Sequence, residues 1–228
     1  MANSTGIYVH LPFCPYICPY CDFAKWPHRR SAALRYLSAL HAEIDNAPVH
    51  DDAGYSTVFL GGGTPNTYNP QDIAALLARL RECFPGPSDR ETTIEVNPEL
   101  VRSQDLVVYR EAGVTRLSTG VQSFVSEEIR TLGRKHTVAD VEHVVGAARE
   151  AGIESVSIDL IFAVPGQTPQ SWWHSLQTAI DLSVDHISAY GLTVEAATPY
   201  ERWHDREPQA FFDDTHEAEL YDLSLIHI

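Results

Sequence analysis

Three cysteines lie close together near the N-terminus, in the segment CPYICPYC. Cys14, Cys18 and Cys21 follow the spacing C-x3-C-x2-C. Three thiolates from one loop can hold a [4Fe–4S] cluster and leave its fourth iron free for a small bidentate ligand. A structural zinc site requires a fourth ligand, and His10 and His28 flank the loop. The spacing therefore predicts a metal site, with a cluster favoured and zinc as the alternative.

The fourth cysteine and a pair of tryptophans have simpler interpretations. Cys83 continues an apolar stripe at helical spacing, which predicts a buried position in the core. Trp172 and Trp173 could form a porphyrin surface, but their helical spacing beside Leu176 and Ile180 favours core or domain packing.

Composition and charge exclude several classes of protein. The chain has 228 residues, of which 31 are acidic and 16 basic, so its formal net charge is −15. An acidic surface without a basic patch repels phosphate, which argues against a nucleic-acid partner. No apolar run reaches the roughly 18 residues of a membrane span. The N-terminal residues also lack the features of a signal peptide. We therefore expect a cytoplasmic protein without a membrane span.

Six strand-like runs alternate with helical patterns. The predicted strands span 6–11, 56–61, 92–97, 115–121, 154–162 and 185–192, and the predicted helices span 31–46, 70–84, 103–112, 137–151 and 169–182. This alternation predicts βαβ units and a parallel sheet.

The strands carry polar residues on one face. In the run at 154–162, Ser157 and Asp159 oppose an apolar face formed by Val156, Ile158 and Leu160. Strands buried between two helix layers would be apolar on both faces. The pattern predicts a barrel with helices outside and a polar, ligand-holding interior. Antiparallel strands with one wet face are the alternative, which the intervening helices disfavour. The cysteine loop follows the first strand, which places it at the C-terminal mouth of the barrel.

Several motifs together resemble a known family. They are HLPFCPYICPYCDF, GGGTP (61–65), IEVNP (94–98), RLSTGVQSF (116–124), LGRKH (132–136) and SIDLIFAVPGQT (157–168). The chain resembles the radical S-adenosylmethionine (SAM) superfamily, and within it the branch of oxygen-independent coproporphyrinogen III oxidases and HemW-type haem chaperones. The resemblance implies an α/β fold, a partial (β/α)6 TIM-like barrel. It also implies a [4Fe–4S] cluster on Cys14, Cys18 and Cys21, whose open iron binds SAM through its amino and carboxylate groups.

The resemblance also implies a set of SAM-site residues. They are Tyr8, Tyr20, Gly62, Gly63, Thr64, Glu95, Gln122, Arg134, Asp159 and Gly191, with Tyr190 a looser match. The chemistry agrees, because a glycine-rich turn lets backbone amides approach a carboxylate. Glu95 and Asp159 suit an amino group or ribose hydroxyls, and Arg134 suits a carboxylate.

The residue at position 23 distinguishes the oxidases from the haem chaperones in this branch. Phe23 stands where the oxidases resembled by this chain have an additional cysteine, and Cys21-Asp22-Phe23 resembles the haem chaperones. The resemblance implies a protein that binds haem and passes it to haem-acceptor proteins. The alternative is an oxygen-independent coproporphyrinogen III oxidase, in which case the chain is an oxidoreductase. An RNA-modifying radical SAM enzyme is a third alternative, which the acidic charge opposes.

The resemblance fades toward the end of the chain. We expect a radical SAM barrel over 1–200, and in 201–228 the start of a C-terminal region that is longer in the family. His227 belongs to no recognisable motif, so we do not expect it to bind haem.

Overall fold

The fold is built on one parallel sheet. The computed structural model describes residues 5–48 and 54–227. Its strands are β1 (Thr5–Leu11), β2 (Phe13–Cys14), β3 (Trp26–Pro27), β4 (Tyr55–Gly62), β5 (Glu91–Val96), β6 (Arg116–Gln122), β7 (Ser155–Phe162) and β8 (His186–Gly191). Six of them pair in the order β1-β4-β5-β6-β7-β8, every pair parallel, while the short β2 and β3 pair with each other. In the described part of the chain β1 and β8 do not pair, so the sheet forms a partial barrel.

Helices connect the strands. They are α1 (Arg30–Asn46), α2 (Pro70–Cys83), α3 (Ser103–Glu111), α4 (Ser126–Thr131), α5 (Val138–Glu150), α6 (Pro169–Asp181), α7 (Pro199–Arg206) and α8 (Asp214–His227). Local signals fix several of their starts. The Asn69 side chain accepts a hydrogen bond from the Gln71 amide, and Pro70 occupies the first turn of α2. Thr137 and Asp140 form a capping box at α5.

The predicted elements agree closely with these bounds. Each of the six predicted strands lies within one residue of its observed limits, and the parallel pairing shows that the antiparallel alternative is wrong. The predicted polar and apolar faces are also confirmed. Val156, Ile158 and Leu160 are fully buried among core residues, whereas Asp159 lines a cavity. The predicted α/β partial barrel is therefore the observed fold.

Two predictions about the core have different outcomes. Trp172 is fully buried, and its indole nitrogen donates to the Leu220 carbonyl and to Ser224 Oγ, both at 3.1 Å, which confirms core packing. Cys83 is half-buried and packs against the core without entering it, because it is the last residue of α2. Its predicted full burial is wrong.

Some expectations concern residues outside this description. Residues 1–4 and the side chain of His227 are not described, so the expectations about the N-terminus and about His227 stay untested. In the described ranges, no helix combines the length and the apolar character needed to cross a membrane.

Candidate functional site

A cavity opens at the carboxyl ends of the parallel strands. Its volume is about 420 Å³, within the range of small-molecule sites. Twelve of the thirteen predicted site residues line it. They are Cys14, Cys18, Cys21, Tyr20, Gly62, Gly63, Thr64, Glu95, Gln122, Arg134, Asp159 and Gly191, and the looser match Tyr190 joins them. Because parallel strands end at one edge, residues distant in sequence meet there.

Tyr8 is the one predicted site residue that does not line this cavity. Its side chain is 58% exposed, and its ring lies 5.9 Å from the ring of Phe59. The Tyr8 hydroxyl is 3.1 Å from His10 Nδ1. A role for Tyr8 beside SAM therefore stays a prediction.

The structure does not support the zinc alternative. His10 uses its ring nitrogens on Tyr8 and on the Ala24 carbonyl, the latter at 2.7 Å. The His28 ring packs edge-on against Phe13 and Tyr68. Neither histidine lines the cavity with the cysteines.

The base of the cysteine loop is fixed by the short β2–β3 pair. The Trp26 amide donates to the Pro12 carbonyl at 2.9 Å, and the His28 amide donates to the Cys14 carbonyl at 2.8 Å. Burial raises the pKa of Cys14 and of Cys21, so both are thiols when no metal compensates their charge. Soft thiolate ligands, close together and half-buried, suit an iron–sulfur cluster.

Arg134 is the buried cation beside these cysteines. Its guanidinium donates to the Gly120 carbonyl at 2.7 Å and to Asn97 Oδ1 at 3.0 Å, and it lies 3.8 Å from Cys18 Sγ. Burial lowers the pKa of Arg134, but the neighbouring Tyr20 and Cys18 raise it more, so it stays charged. The buried Nε atom has no partner among the described residues. Arg134 can therefore compensate cluster charge and still donate to an anionic ligand.

The glycine-rich turn lines the cavity, but its amides are used within the protein: Gly63 donates to the Leu11 carbonyl and Thr64 to the Phe13 carbonyl, both at 3.0 Å. Gly62 has φ of +111°, a conformation that L side chains rarely adopt, and its amide donates to Glu95 Oε2 at 3.0 Å. A Cβ on Gly63 would lie 2.6 Å from the Pro12 carbonyl carbon. Both positions therefore require glycine.

Two carboxylates lie deeper in the cavity. Burial raises the pKa of Glu95 to about 7, with the nearby Asp159 adding to the rise and the Gly62 amide opposing it. Burial also raises the pKa of Asp159, which the Ser188 and Ser118 hydroxyls oppose. Arg116 and His186 also lower the pKa of Asp159, but among the described residues neither carboxylate forms an ion pair. A ligand that brings positive charge would therefore favour their ionised forms.

The backbone has an unusual conformation at Gln122, which lines the cavity. Gln122 ends β6 with φ of +67°, next to a register shift between β6 and β7. The shift interrupts strand pairing at the cavity, a common location for such irregularities.

Three residues of the site were missed in the sequence. Asn97 holds Arg134, and Tyr16 donates to Glu99 Oε1 at 2.7 Å, which ties the cysteine loop to the segment after β5. Asn97 and Glu99 belong to the IEVNP motif and the residue after it, and Tyr16 lies between two cysteines. Asn97 and Tyr16 lie inside recognised motifs, and this position in the sequence could have identified them.

These residues fit the cofactors that the resemblance implies. Cys14, Cys18 and Cys21 would hold a [4Fe–4S] cluster, Arg134 would face a carboxylate, and Glu95 and Asp159 would face amino or hydroxyl groups. When bound, the cluster supplies an iron without a protein thiolate, at which SAM can bind.

Known proteins are similar to this chain over most of its length. Residues 8–179 match the radical SAM superfamily. A haem chaperone HemW of Bacillus subtilis is 36% identical over 218 residues, which are 95% of this chain and 58% of that protein. The Escherichia coli haem chaperone HemW is 35% identical over 206 residues, which are 85% of this chain and 52% of that protein.

A solved structure shows the same fold. Coproporphyrinogen III oxidase (HemN) from Escherichia coli superposes with a TM-score of 0.87 at 31% identity, covering 98% of this chain and 52% of that one. The chain thus spans about half the length of the relatives it matches. With the family match over three quarters of its residues and this superposition, the chain belongs to the radical SAM superfamily.

Proposed function

We propose that this chain is the radical SAM part of a haem chaperone of the HemW type. In this proposal it binds a [4Fe–4S] cluster through its three clustered cysteines and SAM in the cavity, and it transfers haem to acceptor proteins. The superfamily match and the similarity to proteins named haem chaperone HemW support the proposal.

The observation that carries the proposal is the position of Phe23. This side chain lines the mouth of the cavity and is 66% exposed to solvent. It stands where the resembled oxidases have an additional cysteine. An apolar ring at an open mouth supplies no thiol for chemistry, but it does offer a surface to a flat apolar ligand.

Anaerobic reconstitution with iron and sulfide, followed by spectroscopy, tests the proposal. We expect about one four-iron cluster per chain, an electron paramagnetic resonance signal of the reduced cluster that SAM perturbs, and a Soret band shift when haem is added. Absence of haem binding by the reconstituted chain would contradict the chaperone function. Absence of any SAM effect would contradict an open iron.

The second candidate function is an oxygen-independent coproporphyrinogen III oxidase. It is favoured by the superposition on HemN over nearly the whole chain. Incubation of a full-length form and its Phe23→Cys variant with coproporphyrinogen III, reductant and SAM distinguishes the two, and we expect no decarboxylation by the form with Phe23. Turnover by the chain with Phe23 in place would establish the oxidase.

The proposal also covers the location of the protein and its binding partners. We propose a cytoplasmic location, haem or a porphyrin as the small-molecule partner, and haem-acceptor proteins as the macromolecular partners. The similarity to haem chaperones supports the haem partner. We propose no nucleic-acid partner, because the formal net charge of the chain is −15.

A further inference from the structure

Exposed apolar side chains cluster around the cysteine loop. Among the described residues, ten large apolar side chains are exposed, and four of them lie between positions 17 and 34: Ile17, Phe23, Trp26 and Leu34. Trp26 is 56% exposed. Exposed apolar side chains grouped in one short segment indicate a candidate binding surface.

The same segment carries unpaired positive charge. Residues 22–30, which we call the basic aromatic segment, contain Lys25, Arg29 and Arg30 against the single acid Asp22. Their net charge is therefore +2, in a chain whose formal net charge is −15. Within the described ranges none of the three cations forms an ion pair with a carboxylate. Arg29 and Arg30 are thus available to an anionic ligand, whereas the Lys25 ammonium donates to the Cys21 carbonyl.

The backbone of the basic aromatic segment is held in place. The Trp26 amide donates to the Pro12 carbonyl at 2.9 Å, and the Ala24 carbonyl is 2.7 Å from His10 Nε2. Lys25 also donates to the Cys21 carbonyl. The exposed rings therefore sit on a fixed scaffold, which lowers the entropic cost of binding.

A flat apolar molecule with carboxylates at its edge matches this surface. The rings of Phe23 and Trp26 offer apolar faces, and guanidinium groups bind carboxylates with two parallel hydrogen bonds. Haem has this combination, a planar macrocycle with two propionate carboxylates. We propose that the basic aromatic segment is the haem-docking surface, with the macrocycle against Phe23 and Trp26 and the propionates on Arg29 and Arg30. This inference rests on the proposed haem function and assigns its location.

Titration of the reconstituted chain with hemin, followed by the Soret band and by tryptophan fluorescence, tests the docking surface. We expect Trp26→Ala and the double variant Arg29→Gln/Arg30→Gln each to weaken hemin affinity about tenfold. A double variant on α3, Arg102→Gln/Val107→Ala, removes an exposed cation and an exposed apolar side chain elsewhere and should bind like the parent chain.

A second ligand separates the charge contribution from the apolar one. Hemin dimethyl ester lacks the propionate charges, so the Arg29→Gln/Arg30→Gln variant should bind it as well as the parent chain does. Trp26→Ala should still weaken binding of the dimethyl ester. Iron content and the SAM effect on the cluster spectrum should match the parent in both variants, because the proposed contacts lie outside the cluster ligands.

The outcomes distinguish this inference from the proposed function. If the parent chain binds hemin and every variant binds equally, haem docks elsewhere and only the inference is wrong. If the parent chain binds no hemin, the proposed function itself is wrong. The arginine variant could instead keep the hemin affinity of the parent and lose binding to phosphatidylserine vesicles. That result would assign the segment to a membrane surface. Lost iron in the variants would make the segment a support of the cysteine loop.

Discussion

The two buried carboxylates show how single residues set the electrostatics of the cavity. Glu95 is the next-to-last residue of β5 and Asp159 lies in β7, and the barrel brings both to the same cavity. The Asp159 charge raises the pKa of Glu95, since like charges repel in a medium of low dielectric constant. A ligand that brings a positive group to the cavity would lower the free energy that their ionisation costs.

Replacing Glu95 by Gln should change how stability depends on pH. Burial raises the pKa of Glu95 to about 7, whereas its usual value is 4.5. Between these two values the folded state holds a proton that the unfolded state has lost, so stability falls as the pH rises. Glu95→Gln removes this loss, and we expect it to gain up to about 3 kcal/mol at pH 8 and little at pH 4.

Urea unfolding of the metal-free chain at both pH values measures this effect. Glu142 is exposed on α5, so Glu142→Gln is a matched control that should leave the pH dependence unchanged. The same pH dependence in Glu95→Gln and in the parent would show that Glu95 ionises freely in the folded state.

The cysteines allow a second test at this scale. Replacing Cys14, Cys18 or Cys21 by Ala removes a thiolate ligand that water replaces poorly, so each variant should lose most of its iron after reconstitution. Cys83→Ala should keep the iron of the parent, because Cys83 packs beside the core at the end of α2. Iron analysis decides, and full iron in Cys18→Ala would refute the ligand assignment.

At the scale of elements, the cysteine loop depends on its attachment to the sheet. Tyr16 donates to Glu99 Oε1 at 2.7 Å, and the Lys135 ammonium lies 4.6 Å from the centre of the Tyr16 ring. These contacts join the loop to the segments that follow β5 and α4. Protein contacts therefore help to position the loop.

Tyr16→Phe should loosen this attachment. The variant leaves a part-buried Glu99 oxygen with one donor fewer, which costs about 1–3 kcal/mol. We expect lower stability in urea and slower iron incorporation. Tyr221→Phe serves as the control, since Tyr221 is half exposed on α8. Equal stability of Tyr16→Phe and the parent would exclude an anchoring role.

The sequence predicts some of these elements well and others poorly. Val156, Ile158 and Leu160 alternate with Ser157 and Asp159, and this periodicity locates β7 and its faces. No comparable signal marks α4, which has six residues, or α7, whose buried residue is Tyr200 alone. Tyr16 and Glu99 are 83 positions apart, so their contact depends on the curvature of the whole sheet and not on any local sequence pattern.

At the scale of the whole molecule, the C-terminal helix is attached to the barrel. Trp172 in α6 donates to the Leu220 carbonyl and Ser224 Oγ in α8, and Phe162 in β7 lies 6.2 Å from the ring of Tyr221. The boundary predicted at residue 200 stays a prediction. These contacts nevertheless make α8 part of the packing around β7, and α8 also reaches the cavity edge, where Glu217 approaches Gly191.

A pair of leucines on α8 measures how much this packing contributes. Leu220 is 1% exposed and Leu225 is 63% exposed, so Leu→Ala at the two positions removes the same atoms from opposite environments. Leu220→Ala should lower the free energy of unfolding by about 2–5 kcal/mol, because it leaves a cavity against Trp172. Leu225→Ala should change it by less than about 0.5 kcal/mol. Equal effects in urea unfolding would mean that α8 is detached in solution. A large cost at Leu220 alone would instead establish that residues beyond 200 stabilise the barrel and, with it, the cavity wall at Gly191.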